Sequence, residues 1–142
     1  MEFDNYFKLE FEAKNVNESF ARSVAAVFCT TSLSPTLSEV NDIRTAVSEA
    51  VTNSIVHGYS NKGGKIVLEA GIVDSTVYIT VTDFGSGIDD IEMALQPFYT
   101  SKASEEHSGM GFTLMDSFMN GLEVKPNKPT GLIVKMKKVI KG

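Results

Sequence analysis

Between Thr36 and Gly58 the chain carries an unbroken helical pattern, and no other stretch restricts the fold as tightly. Thr36 and Glu39 stand at capping-box spacing, and Val40, Ile43, Val47, Ala50 and Ser54 step along one apolar or small-residue stripe. The spacing predicts a helix from about Thr36 to His57 or Gly58. Glu49 and Asn53, four residues apart, then share a face one turn apart. A carboxylate there can draw a proton from a hydroxyl or from water, and a neutral amide oxygen can hold a hard cation such as magnesium. Taken alone, the pair also reads as the solvent face of an amphipathic helix, so its meaning depends on the rest of the chain.

The flanking segments alternate between strand and helix patterns. Phe7, Leu9 and Phe11 alternate with Lys8, Glu10 and Glu12, the period of a half-buried strand. Asn15 and Glu18 can cap a following helix in which Phe20, Val24, Val27 and Phe28 form the apolar face. After the turn Ser60 to Gly64, the runs Ile66 to Ala70 and Val77 to Thr82 predict a hairpin about Asp74-Ser75. A short helix through Ile91 and Leu95 stops before Pro97, and Phe98 to Ser108 shows no periodicity and reads as a mobile loop. Gly111 opens a last helix with Leu114, Met115, Phe118 and Met119 inward and Gly121 at its end. Leu122 to Lys125 and Leu132 to Val139 form a final hairpin. The order β-α-α-β-β-α-α-β-β favours a layered α+β domain over a doubly wound one.

With 142 residues, 42% of them hydrophobic, the chain suits a single domain, 1–142, with a sizeable core. Thirteen basic against eighteen acidic residues, a net charge of −5, argue against a general nucleic-acid binder and favour a basic partner. Cys29 is the lone cysteine and reads as buried core in a reducing compartment. No apolar run approaches the roughly 20 residues that cross a bilayer, so a cytoplasmic protein without a membrane partner is expected.

Two glycine loops bracket the unstructured segment, Asp83-Phe84-Gly85-Ser86-Gly87 before it and Gly109-Met110-Gly111 after it. Glycines let backbone amides approach an anion, and a helix starting near Gly111 adds the positive end of its dipole. Other nucleotide motifs are absent: there is no GxxxxGK[ST], and Asp83-Phe84-Gly85 lacks the HRD loop and Gly-rich hairpin that accompany DFG in protein kinases. No Cys/His cluster suggests zinc.

Glu49-x-x-x-Asn53, Asp83-x-Gly85-x-Gly87 and Gly109-x-Gly111 resemble, in order and rough spacing, the three boxes of the ATP-binding fold shared by gyrase-type ATPases and histidine kinases. Asn17 to Arg22, Val47 to Asn53, His57-Gly58-Tyr59 and Ser108 to Thr113 look closer still to the sporulation anti-sigma F factors, which are also serine kinases. The resemblance spans essentially the whole chain. It implies a Bergerat-type two-layer sandwich, with a mixed, mostly antiparallel sheet covered by helices on one face.

The resemblance also implies roles. Glu49 matches a general base toward a substrate serine, and Asn53 the ligand of a magnesium ion on the phosphates of ATP. Asp83 matches the acceptor of the adenine amino group, Gly85 and Gly87 the turn under base and ribose. Ser108, Gly109, Met110 and Gly111 match the phosphate-contacting end of a lid that also holds Lys102. Glu18 and Arg22 match a surface that grips a sigma factor, and strand one with the following helix matches a homodimer surface. The family usually has threonine where this chain has Leu132, and often arginine where it has His107, departures that bear on nucleotide affinity. The expected activity is sequestration of a sporulation sigma factor together with phosphorylation of a serine on an anti-anti-sigma partner. A sister kinase of a stress-response sigma factor, or an ATP-dependent sequestering module without catalysis, would share these boxes.

Overall fold

Alternation in the first segment becomes β1, Asn5–Glu12, with Phe7, Leu9 and Phe11 packed against the core and Lys8, Glu10 and Glu12 exposed. The protein is seen here as a computed structural model that describes residues 2–96 and 111–142. After β1 come α1 (Asn15–Cys29), α2 (Leu37–Asn53), a π-helical turn (Ser54–Gly58), β2 (Lys65–Val73) and β3 (Thr76–Asp83). A short α3 (Ile91–Ala94), α4 (Gly111–Phe118), β4 (Gly121–Pro126) and β5 (Leu132–Val139) complete the α+β order expected from the sequence.

The described strands form one five-stranded sheet in the order β1-β2-β3-β5-β4. All of its pairings are antiparallel, which removes the parallel component of the mixed sheet expected above. The register aligns Leu9, Leu68, Val81, Val134 and Val124 across the sheet, and the buried row Leu68, Val81 and Val134 belongs to the core. Helix α2 supplies Ile43, Ala46, Val47, Ala50 and Val51, none of them accessible to solvent. Helices α1 and α4 pack along its two sides.

Two local expectations need correction. Helix α1 starts from Lys14, which makes no side-chain cap, and Asn17 instead donates to the Glu12 carbonyl at 2.9 Å. Its inner face is Ala21, Ala25, Ala26, Phe28 and Cys29, whereas Val16, Phe20 and Val27 are 76%, 48% and 65% exposed. Small side chains let α1 lie close along α2, and a face of Phe and Val would hold the axes apart. Gly121 does not end α4, which stops at Phe118; it opens β4, where a Cβ would stand 2.9 Å from the Lys137 side chain.

The start of α2 matches its sequence signature. Thr36 accepts from the Glu39 N–H at 3.1 Å and Glu39 accepts from the Thr36 N–H at 2.9 Å. The same carboxylate also accepts from the N–H groups of Lys141 (2.7 Å) and Gly142 (3.2 Å), so it ties the end of the chain to the start of the central helix. The Lys141 N–H, then that of Thr36, hold the Glu39 carboxyl below its ordinary value of 4.5. Lys138 on β5 clamps the other layer: its Nζ meets Asp42 on α2 at 2.8 Å and the Phe118 carbonyl at the end of α4 at 2.7 Å.

Because the folded Glu39 carboxyl is more acidic than the unfolded one, its contribution is present above the unfolded value of 4.5 and fades as pH falls through the folded one. Glu39→Gln is therefore expected to lower the thermal midpoint at pH 7, with the gap from the parent narrowing as pH drops below about 4. Equal gaps at both pH values would count against the ionic contacts. Lys138→Met leaves the Asp42 carboxylate, 23% exposed in its side chain, without its cation, and chemical denaturation should show a loss of about 1–3 kcal/mol.

Candidate functional site

The site is built on the last turn of α2. The buried stripe ending in Ala50 and Val51 fixes the helix rotation, which leaves Glu49 and Asn53 half-buried at the edge of the helix layer. A Cβ placed on Gly111 would stand 3.5 Å from Oε2 of Glu49. The carboxylate of one box thus lies against the N-terminus of α4, the start of the helix that follows the second glycine loop.

Beyond Asn53 the helix widens. Its α-helical part ends there, short of the His57 or Gly58 expected, and the Tyr59 N–H bonds to the Ser54 carbonyl, five residues back, at 2.9 Å. This π turn turns the Gly58 carbonyl toward the first glycine loop, where it accepts from the Ser86 N–H at 2.8 Å. Gly85 passes so close that a Cβ on it would sit 2.1 Å from that carbonyl oxygen, so only glycine fits.

Asp83, at the exit of β3, is 1% exposed. Its Oδ2 accepts from the Ser54 hydroxyl at 2.7 Å, and its Oδ1 from the N–H groups of Gly85 (3.0 Å) and Leu132 (3.2 Å). Burial pushes the carboxyl above its ordinary 3.8, and the bond from Ser54, then those from Gly85 and Leu132, pull it partly back. The 127–131 turn closes over the same residue. The Asn127 amide donates to the Asp83 carbonyl at 2.9 Å, and the Thr130 hydroxyl to the Gly85 carbonyl. Gly131, at φ +115°, runs where a Cβ would meet the Asp83 carbonyl oxygen at 2.1 Å. On the opposite side, the Tyr59 hydroxyl donates to the Lys65 carbonyl at 2.6 Å and accepts from the Phe84 N–H at 2.7 Å.

Glu49, Asn53 and Ser54 therefore follow one another along the end of one helix, with Asp83 bonded to the last of them and Gly111 beside the first. Five residues of helix separate Glu49 from Ser54, about 7.5 Å along the axis. Gly85 and Gly87 lie in the turn that leaves Asp83. Lys102, Ser108, Gly109 and Met110, together with His107 and the loop from Phe98 to Ser108, fall outside the described residues. Glu18 and Arg22 belong to α1 and pair with each other at 3.2 Å, their side chains 20% and 35% exposed, which is more enclosed than an ordinary surface pair.

Sequence reading missed Ser54, Tyr59, Asn127 and the Leu132 N–H as parts of this network. Ser54 carried a signal, since it is the one hydroxyl on the buried stripe of α2 and a buried hydroxyl needs a partner. The Leu132 contact comes from backbone, so replacing the expected threonine by leucine keeps a donor to Asp83.

Among the described residues no helix is long and apolar enough to cross a membrane. Residues 10–138 match the family described as Histidine kinase-like ATPase domain. The anti-sigma F factor of Clostridium kluyveri is 53% identical over 137 residues, covering 96% of each chain. That of Caldanaerobacter subterraneus subsp. tengcongensis is 50% identical over 140 residues, covering 99% of this chain and 97% of the relative. The catalytic domain of histidine kinase ThkA superposes with a TM-score of 0.60 at 19% identity, over 99% of this chain and 98% of that one, and shares its fold. By this match and these relatives, the chain belongs to the histidine kinase-like ATPase family and, within it, to the anti-sigma F factors.

Proposed function

We propose that the chain sequesters a sigma factor and, with magnesium and ATP, phosphorylates a serine of an anti-anti-sigma protein in the cytoplasm. The observation that carries this reading is the arrangement along the end of α2: a buried acceptor, Asp83, bonded to Ser54, and, about 7.5 Å back from Ser54 along the helix axis, a half-buried carboxylate, Glu49, beside the N-terminus of α4. That order supports a nucleotide with its base at Asp83 and its phosphates toward Glu49.

Each residue has a definite task. Asp83 accepts the adenine amino group with an oxygen that would repel a keto group in the same place. Glu49 takes the proton of the serine hydroxyl as the serine oxygen bonds to the terminal phosphorus and the bond to the ADP oxygen breaks. The first N–H groups and dipole of α4 stabilise charge on the transferred group. Asn53 fits the magnesium ion, because its amide oxygen is a hard, neutral donor. No group of three or more His, Cys, Asp or Glu side chains that could hold a metal occurs among the described residues, and the donor set suits an ion held mainly by phosphate oxygens. When bound, the ion neutralises phosphate charge.

The name of the relatives supports a sigma factor as partner. On α1 the Glu18–Arg22 pair sits on the same helix as the exposed Val16, Phe20 and Val27, a mixture of charge and apolar surface suited to protein contact. The free edge of β1 and this face of α1 also suit a homodimer.

Transfer of label from ATP to serine of the purified anti-anti-sigma partner tests the reading. Glu49→Ala should slow transfer by roughly two to four orders of magnitude and leave ADP affinity nearly unchanged. Full activity in that variant would remove Glu49 from the chemistry, and no label with the parent protein would leave only sequestration. Asp83→Asn keeps an acceptor for the Gly85 and Leu132 N–H groups and removes a buried charge, while the amide NH2 turned to Ser54 donates to that hydroxyl and leaves its O–H without the Asp83 oxygen. Thermal melts at pH 7 should show it folded, and calorimetry a loss of at least about tenfold in ADP affinity, with GDP reduced far less.

A further inference from the structure

Ser54 is 2% exposed, has no part in the three boxes and places its only side-chain polar atom on Asp83. A carboxylate offers about four lone-pair positions. On Asp83 the two N–H groups of Gly85 and Leu132 converge on Oδ1, and Oδ2 receives the Ser54 hydroxyl alone. Gly58 lies against the same group, since a Cβ on it would be 3.0 Å from Oδ2 and 3.2 Å from Cγ. By lone-pair count one acceptor position on Oδ2 remains beside the one that Ser54 takes.

We propose that Ser54 is a specificity-determining residue, whose hydroxyl bond to Oδ2 keeps Asp83 an acceptor-only carboxylate with one lone pair for an amino group, so that adenine is selected over guanine. The inference rests on the reading of Asp83 as the adenine acceptor. The chemistry follows from what the neutral acid does. A protonated Asp83 carries an O–H, which donates to the keto oxygen of guanine and turns a hydrogen toward the adenine amino group where the carboxylate offered a charged acceptor. Burial favours that neutral form, and the donors opposing it include a single side-chain hydroxyl. Only proline would remove the backbone N–H groups, so among side chains Ser54 is the point at which sequence acts on the protonation state.

Other charges near Asp83 do not account for such an effect. Tyr59 on the π turn is neutral from pH 5 to 8, because burial raises its phenol above 10. Lys65 on β2 lies over the Phe84 ring, 4.9 Å from its centroid. From the 127–131 turn the uncharged Asn127 amide meets the Asp83 carbonyl, and Lys128 gives its backbone N–H to Asn127. His57 on the same turn is common to parent and variants, so differences between their profiles do not arise from it.

Calorimetric titration of the full chain with ADP and with GDP, magnesium present, at several values between about pH 5 and 8 tests the proposal. Ser54→Ala, which deletes one oxygen, should lower ADP affinity about tenfold at pH 7 and GDP affinity much less. Its ADP affinity should also begin to fall at a higher pH than in the parent. Ser54→Cys, a weaker donor of larger volume, should give an ADP to GDP ratio between those of the parent and Ser54→Ala, an order that packing alone does not produce. An unchanged ratio and pH profile in both variants, or an equal loss of both nucleotides at every pH, would overturn the role of Ser54. If instead the parent fails to bind ADP, or Asp83→Asn binds it as the parent does, the adenine reading of Asp83 itself fails, and this inference with it.

Discussion

A carboxylate with almost no exposure to solvent sits at the exit of β3, and the rest of the site is arranged to make it tolerable there. Burying an ionised group costs several kcal/mol unless hydrogen bonds replace its water. Asp83 meets that demand with donors from separate parts of the chain: the π turn, the first glycine turn and the first residue of β5. Those segments are thereby held together at one point. The widened turn after Asn53 and the absence of side chains at Gly85 and Gly131 are geometric conditions for that convergence.

The same condition explains how the two layers are aligned. The buried stripe of α2 fixes the rotation of the helix, while Ser54 fixes its end against the sheet. At its other end the Thr36 capping box and the Lys141 and Gly142 N–H groups anchor the helix through Glu39, and between the ends Lys138 grips Asp42. A helix secured at several levels holds its outward face in position, and with it the half-buried Glu49 and Asn53.

Much of this was legible in the chain itself. Alternation and helical spacing named every described strand and α-helix, and the boxes brought Glu49, Asn53, Asp83, Gly85 and Gly87 forward as a group. Legibility failed where tertiary contact outweighs local pattern. Phe20 and Val27 look like core residues in one helix, yet the close approach of α1 to α2 selects Ala21 and Ala25 for the inner face. The π turn was invisible because Ile55, Val56 and His57 continue a helical pattern, while the bond of Ser86 to Gly58 comes from a distant segment. The donors from Leu132 and Gly85 are main-chain groups, which no residue type announces.

The antiparallel order in which β3 neighbours β5 has a topological consequence. The chain leaves β3 at Asp83 and reaches the neighbouring β5 at Leu132, 49 residues later, after α4 and the edge strand β4, and the two ends of that excursion are bonded to each other. Changes in length within the excursion cost little closure entropy as long as its two ends still meet. A nucleotide seated on Asp83 would reinforce the junction that closes this loop. If a nucleotide binds there as proposed, occupancy of the site and integrity of the fold draw on one contact, so the supply of ligand would also set how long the chain stays folded.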